Sequence, residues 1–155
     1  MRKVTLVCVG NLKEKYWIDA VAEYKKRLGK FFDFNLIEIP ESKVQGKNEL
    51  DIKKALQQES EKIFAKIKGK NICSLCVEGK QKSSEKFAKY VETQTDNGEL
   101  IFVIGSSYGL DENIKSNSTK LSFSEMTFPH QLMRIIFLEQ LYRAGTIMNN
   151  IEYHK

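Results

Sequence analysis

Residues 100–109 read LIFVIGSSYG. Five apolar residues, three of them β-branched (Ile101, Val103, Ile104), run without a polar break into a loop of two glycines, two serines and a tyrosine. A run of this length and composition suits a strand buried on both faces, which demands a covering layer above and below it. Gly105 and Gly109 permit positive φ and close approach of backbone to a ligand, while Ser106 and Ser107 supply hydroxyls and amides. The loop is not G-x-G-x-x-G and lacks the lysine of a P-loop. It also follows the fourth strand, not the first, which argues against a nucleotide-phosphate site. A cleft for a neutral or zwitterionic ligand fits the spacing, and so does a plain tight turn from strand to helix.

The same grammar extends in both directions. Val4–Val9 is a second unbroken, β-branched run closed by Gly10 and Asn11. From Glu14 to Leu28 the apolar residues Trp17, Ile18, Val21, Tyr24 and Leu28 recur at three- and four-residue steps, predicting an amphipathic helix that stops at Gly29. Phe34–Ile39 reads as a strand ended by Pro40, and the polar loop that follows carries Ser42, Lys43 and Lys47 as groups able to reach phosphate. Asn48 caps a predicted helix to about Lys68, with Leu50, Ile52, Leu56, Ile63, Phe64 and Ile67 supporting it. Asn71–Val77 is a strand, and Glu78-Gly79-Lys80 is expected to turn the chain. Ser83 caps a helix to about Thr95 with Phe87, Tyr90 and Val91 inward. A short helix (Asp111–Asn117), a strand (Lys120–Ser124) and a long helix (His130 to about Thr146) complete the chain. This alternation predicts one α/β domain over residues 1–155, a mainly parallel sheet sandwiched by helices.

Several function classes fall away on composition. No apolar run approaches the roughly 20 residues a membrane helix needs. The opening MRKVTLVCVGN reads as a first strand, not a signal peptide. Cys8, Cys73 and Cys76 sit inside apolar runs, as reduced thiols of a cytoplasmic protein do. Cys73 and Cys76 form a C-x-x-C within a strand-like run, which is the wrong context for a redox or zinc motif, so no metal is expected. Residues 1–70 hold 16 Lys and Arg against 10 Asp and Glu, and residues 71–155 hold 9 against 10. A basic first half favours a polyanionic partner such as nucleic acid, although a solvated lysine surface has the same composition.

The loop LSFSEMTFPH (121–130) combines apolar Leu121, Phe123, Met126 and Phe128 with the hydroxyls of Ser122, Ser124 and Thr127. Such a mixture describes an adenine pocket as well as an ordinary packed loop. Pro129 sets the entry to the last helix and His130 lies in its first turn. That helix has apolar residues over more than one face (Leu132, Ile135, Ile136, Leu138, Leu141, Tyr142). It is therefore either central to the fold or part of an oligomer interface. Arg134 and Arg143 are half a revolution apart and cannot serve one site within one chain. Glu139 is placed to pair with Arg143 along the helix.

VIGSSYGL (103–110), LSFSEMTFPHQLMRIIFLEQLYRA (121–144) and YHK (153–155) together resemble the ribosomal large-subunit pseudouridine methyltransferase H family of the SPOUT superfamily. LVCVGNLKEKYW (6–17), LIEIPESK (36–43) and Gly79-Lys80 match the same family, so the resemblance spans essentially the whole chain. It implies a C-terminal trefoil knot, a homodimer with the knot helices packed together, and S-adenosyl-L-methionine as cofactor. The implied reaction methylates N3 of a pseudouridine in 23S rRNA of the assembled ribosome. Carried over by position, the cofactor site includes Leu75, Gly105 and the loop Phe123, Ser124, Glu125, Met126, Thr127 and Phe128. Arg143, Tyr153 and His154 take the catalytic positions, with Lys155 and His130 on the substrate side. Ser106 stands where the family usually has a second glycine.

The resemblance gives the tail a role that its local sequence does not. A tail of about 8 residues after the long helix reaches about 25 Å when extended. That is enough to cross to a partner's cofactor cleft as a mobile part of a composite site. His154 would accept the N3 proton or order a water that does. Tyr153 would contact the base, and Lys155 and Arg143 would hold phosphate or stabilise the developing anion. Two other readings compete. A SPOUT enzyme acting on tRNA shares fold and cofactor, and a non-catalytic RNA-binding module explains the basic half without the cofactor loops. A nucleotide-dependent oxidoreductase lacks the glycine fingerprint after the first strand.

Overall fold

In a computed structural model describing residues 1–155, strand and helix alternate throughout. The elements are β1 (Arg2–Val9), α1 (Lys15–Leu28), β2 (Phe32–Ile39), α2 (Glu49–Lys66), β3 (Ile72–Gln81), α3 (Ser84–Thr95), β4 (Leu100–Ile104), α4 (Glu112–Ser116), β5 (Thr119–Ser122) and α5 (His130–Met148). The five strands form one sheet in the order β2-β1-β4-β3-β5, and every pairing is parallel. β1 sits between β2 and β4, with Leu6 opposite both Leu36 and Phe102.

The unbroken apolar runs are explained by which face each residue serves. Val4, Leu6, Cys8, Leu100, Phe102 and Ile104 belong to one core, shared with side chains of α1, α3 and α5. Val7, Val9, Ile101 and Val103 point the other way, into a second core with Ile63 of α2 and Ile114 of α4. Period-two alternation thus buries both faces, and all five residues of β4 are inaccessible to solvent. α5 lies in the first layer against α1 and α3, its Phe137 ring 4.7 Å from that of Phe102. The expected caps form: Asn48 accepts from the Asp51 amide at 2.9 Å and Ser83 from the Lys86 amide at 3.2 Å.

The structure corrects the sequence reading in three places. Glu78-Gly79-Lys80 does not turn the chain but continues β3 to Gln81. Leu121 of β5 pairs first with Leu75 and then with Lys80, so residues 76–79 bulge out of the ladder. Gly79 makes this possible, because a β-carbon there would lie 2.5–2.8 Å from the Leu121 backbone. The strand expected at Lys120–Ser124 shifts to Thr119–Ser122, because residues 123–129 leave the sheet. On α2, Leu50 is exposed, whereas Glu59 and Ser60 are buried. No helix is long and apolar enough to cross a membrane.

Gly79→Ala is expected to cost about 1–3 kcal/mol through the forced separation of β3 from β5. Denaturant unfolding of the two proteins checks this, and equal midpoints would contradict the packing argument.

Candidate active site

A parallel sheet gathers the carboxyl ends of its strands on one side, and ligands bind in the crevice beyond them. Here a cleft of ≈ 680 Å³ opens at the ends of β3, β4 and β5. One wall is the β3 bulge (Cys76, Val77, Glu78), a second is the 105–110 loop, and the third is the irregular segment from Ser122 to His130. The 105–110 loop is a tight turn and also a wall of the cleft. The Gly109 amide donates to the Ser106 carbonyl at 2.9 Å, and Gly109 adopts φ +88°. Gly105 has no positive φ; it is needed for space, since a β-carbon there would overlap the Gly109 carbonyl.

The Ser122–His130 segment is held by its own hydroxyls. Ser122 Oγ donates to the Ser124 carbonyl at 2.9 Å, and Ser124 Oγ accepts from the Met126 amide at 3.0 Å. Phe123 anchors it inward, 5.7 Å from the Phe87 ring. Leu75, Gly105, Phe123, Ser124, Met126, Thr127 and Phe128 all line the cleft, and His130 lies at its edge with Met133. Glu125 does not line it. The Ser124 turn places that side chain in solvent.

The sequence model of a family described as "Predicted SPOUT methyltransferase" matches residues 2–154. The chain belongs to this family.

In this SPOUT methyltransferase the cleft contains one ion pair that the sequence did not announce. Lys115 of α4 bonds Glu78 at 2.6 Å. This bond, followed by the Glu78 backbone amide, holds the Glu78 carboxyl below its ordinary range. The same bond raises Lys115, against the opposing effect of burial. Lys115 lies in the short helix read at Asp111–Asn117, and nothing in its local pattern marks it. Burial pushes the Cys73 thiol up to about 12, and Cys8, Cys73 and Cys76 form no disulfide.

Arg134 and Arg143, half a revolution apart, have separate sets of partners, as expected of residues that cannot serve one site. Arg134 is 1% exposed and donates to Glu38 at 2.9 Å and to the Gly10 carbonyl at 3.0 Å. It ties the start of α5, and so His130, to the ends of β1 and β2. Arg143 is ten residues beyond Met133, about 15 Å along the helix. The catalytic candidates Arg143, Tyr153 and His154 therefore gather at the end of α5 remote from the cleft of the same chain.

The tail does not fray. Asn150, at φ +55°, reverses the chain, and the Ile151 amide returns to the Thr146 carbonyl at 2.9 Å while Asn150 returns to Ile147 at 3.2 Å. This is a Schellman closure with asparagine in the glycine position. Tyr153 then donates to Glu139 at 3.2 Å and lies beneath the Arg143 guanidinium at 4.9 Å. Burial, then the Glu139 charge, raises its phenol. His154 bridges Arg143 (Nδ1, 3.1 Å) and Glu85 (Nε2, 2.7 Å). Arg143 can only donate and a carboxylate only accept, so Nδ1 accepts from Arg143 and Nε2 donates to Glu85. Lys155 is exposed beyond this cluster. The tail is thus folded onto α3 and α5 of its own chain.

The Glu78–Lys115 pair sets a pH dependence. A depressed Glu78 stabilises above its unfolded value and loses that contribution as pH falls through its folded one. A raised Lys115 stabilises below its unfolded value and loses the contribution as pH rises through its folded one. Lys115→Met is therefore expected to lower stability by up to about 1 kcal/mol between roughly pH 5 and 10, the gap from wild type closing below about pH 4. Unfolding midpoints across that range check it, and a pH-independent difference would argue for packing alone.

Proposed function

We propose that this SPOUT methyltransferase transfers a methyl group from S-adenosyl-L-methionine to N3 of a pseudouridine in 23S rRNA of the large ribosomal subunit. The observation that carries the reading is the cleft formed jointly by the 105–110 loop and the Ser122–His130 segment, in a chain that belongs to this family. Its volume of ≈ 680 Å³ is that of a small-molecule site. Leu75, Leu121 and Phe128 offer apolar walls, and Ser107, Thr127 and the loop backbones offer polar groups to a zwitterion and an adenine. The residues present therefore fit the cofactor. Main-chain groups of 123–128 would hold the adenine, and the 105–110 loop, which closes tightly because Gly105 lets the Gly109 carbonyl approach, would form the facing wall.

The bound cofactor supplies an electrophilic methyl sulfonium; the chain's task is to align the nucleophile and remove one proton. Within the reading, Tyr153 contacts the base and Arg143 and Lys155 hold phosphate or the developing anion. His154 takes the N3 proton directly or through water. In the folded tail both its nitrogens are engaged, by Arg143 and Glu85. Accepting a proton at Nδ1 therefore requires Arg143 to let go, and substrate phosphate is the natural competitor for that guanidinium. His130, at the cleft edge against Gly10, is the substrate-side group nearest the cofactor.

The distance between tail and cleft within one chain supports a homodimer in which one copy's tail completes the other's site. The half-buried apolar residues of α5 (Leu132, Ile135, Ile136, Tyr142) give such a dimer its surface. The trefoil knot belongs to the same reading: after β5 at the sheet edge, the chain returns through 123–129 so that α5 packs between α1 and α3.

Labelled S-adenosylmethionine, the protein and ribosomes lacking the modification should yield label at a single pseudouridine of 23S rRNA. Label in tRNA instead would replace the substrate while keeping the chemistry. Deleting Tyr153–Lys155 is expected to reduce transfer at least about 100-fold and to leave the cofactor dissociation constant, by calorimetry, within about twofold. Full activity in the truncated protein would remove the tail from the mechanism.

A further inference from the structure

α2 lies on the face of the sheet away from α5, yet it buries a carboxylate. Glu59 is 3% exposed, and Ser42 and Ser106 beside it are 9% and 7% exposed. Glu59 Oε2 accepts from the Ser42 backbone amide at 2.8 Å, and Oε1 accepts from the Ser106 hydroxyl at 3.2 Å. Lys62, one turn along α2, reaches Ser42 Oγ at 3.3 Å and the Pro40 carbonyl at 3.5 Å. Burial raises the Glu59 carboxyl, opposed by the bonds from the Ser42 amide and the Ser106 hydroxyl.

The strand order gives this contact its meaning. Ser42 follows β2 and Ser106 follows β4, and β1 lies between those strands. Glu59 therefore spans the carboxyl end of β1 and joins two loops that have no shared strand edge. The Ser106 loop forms a wall of the cleft. The Ser42 loop carries Lys43 and Lys47, and its neighbour Glu41 lies beside Gly10, where the imidazole of His130 also sits. The Ser106 loop therefore borders the cleft directly, while the Ser42 loop, which contributes nothing to the cleft lining, lies beside His130 at the cleft edge and carries the basic side chains.

We propose that Glu59 is a positioning residue, a clamp that fixes the cofactor loop through Ser106 and the basic 42–47 loop through Ser42, so that the RNA-facing loop and the cofactor loop keep one geometry. The inference rests on the cofactor and rRNA reading given above. It also gives Ser106 a role: the hydroxyl that replaces a flexible glycine supplies the clamp's second bond. A glutamine at position 59 retains both contacts, since its carbonyl accepts from Ser42 and its amide donates to the Ser106 oxygen. A leucine fills the space and makes neither.

The test uses the full chain as wild type, Glu59→Gln, Glu59→Leu and Ser106→Ala. Amide hydrogen exchange is measured without ligand, S-adenosylmethionine affinity by calorimetry, and KM with ribosomes as substrate. Glu59→Leu is expected to speed exchange in 41–47 and 105–109 together, weaken the cofactor about tenfold and raise the ribosome KM. Ser106→Ala should speed exchange in 105–109 alone and weaken the cofactor about threefold with the ribosome KM unchanged. Glu59→Gln should stay within about twofold of wild type in each. A folded Glu59→Leu protein with unchanged exchange and affinity overturns the clamp, as does a Gln variant impaired as much as the Leu variant. Should Glu59→Leu fail to fold, unchanged exchange at 105–109 in Ser106→Ala overturns it instead. A wild-type protein that does not bind S-adenosylmethionine would sink the cofactor reading, while the exchange data would still decide the clamp.

Discussion

β1 and β4 are hydrogen-bonded on both edges and buried on both faces. Each fully buried large apolar side chain contributes about 1.5–3 kcal/mol, so leaving either face of these strands uncovered is prohibitive. Helices must therefore lie on both sides, and the connections that place them keep the strands parallel. A parallel sheet collects all its carboxyl ends along one rim. The loops after β1, β2, β3, β4 and β5 meet there because the core permits no other arrangement. The cleft is a consequence of how the central strands are buried.

Two buried charges hold that rim, one from each helical layer. Arg134 reaches from α5 to Glu38 and Gly10, at the ends of β2 and β1. Glu59 reaches from α2 to Ser42 and Ser106, beyond the ends of β2 and β4. Replacing such groups by apolar side chains often leaves a protein as stable or more so, so their burial is weak evidence of a stabilising role. What they do supply is direction, since each fixes loop backbone that has no ladder partner. Arg134 keeps one nitrogen, Nε, unpaired at that cost.

The tail follows the same principle at the other end of α5. Asn150 closes the helix, and Glu139, Arg143, Tyr153, His154 and Glu85 satisfy one another in sequence. Glu85 is held below its ordinary range first by its own amide in the opening turn of α3 and then by His154. Held in this way, Tyr153 and His154 are half-buried against α3 and α5.

Local pattern determined most of the secondary structure. Strand runs, helical spacing, Ser83, Asn48 and the stops at Gly29 and Pro40 each depend on neighbours within a few residues, and these parts were legible. So were two of the three walls of the cleft, the loops 105–110 and 122–130, because strand ends in an alternating α/β chain identify their own loops. The Gly79 bulge was not, because a glycine between polar residues reads as a turn unless the approach of Leu121 is known. Nor was the orientation of Glu125, which one side-chain bond at Ser124 decides. The parts that only tertiary structure decided are polar contacts between residues far apart in sequence: Glu59 with Ser106, Arg134 with Gly10, His154 with Glu85. Hydrophobic periodicity records which face a residue turns inward, because burial is non-directional and repeats with the helix or strand. A hydrogen bond needs one partner at one distance and angle, and no local repeat encodes which distant atom the fold will bring there.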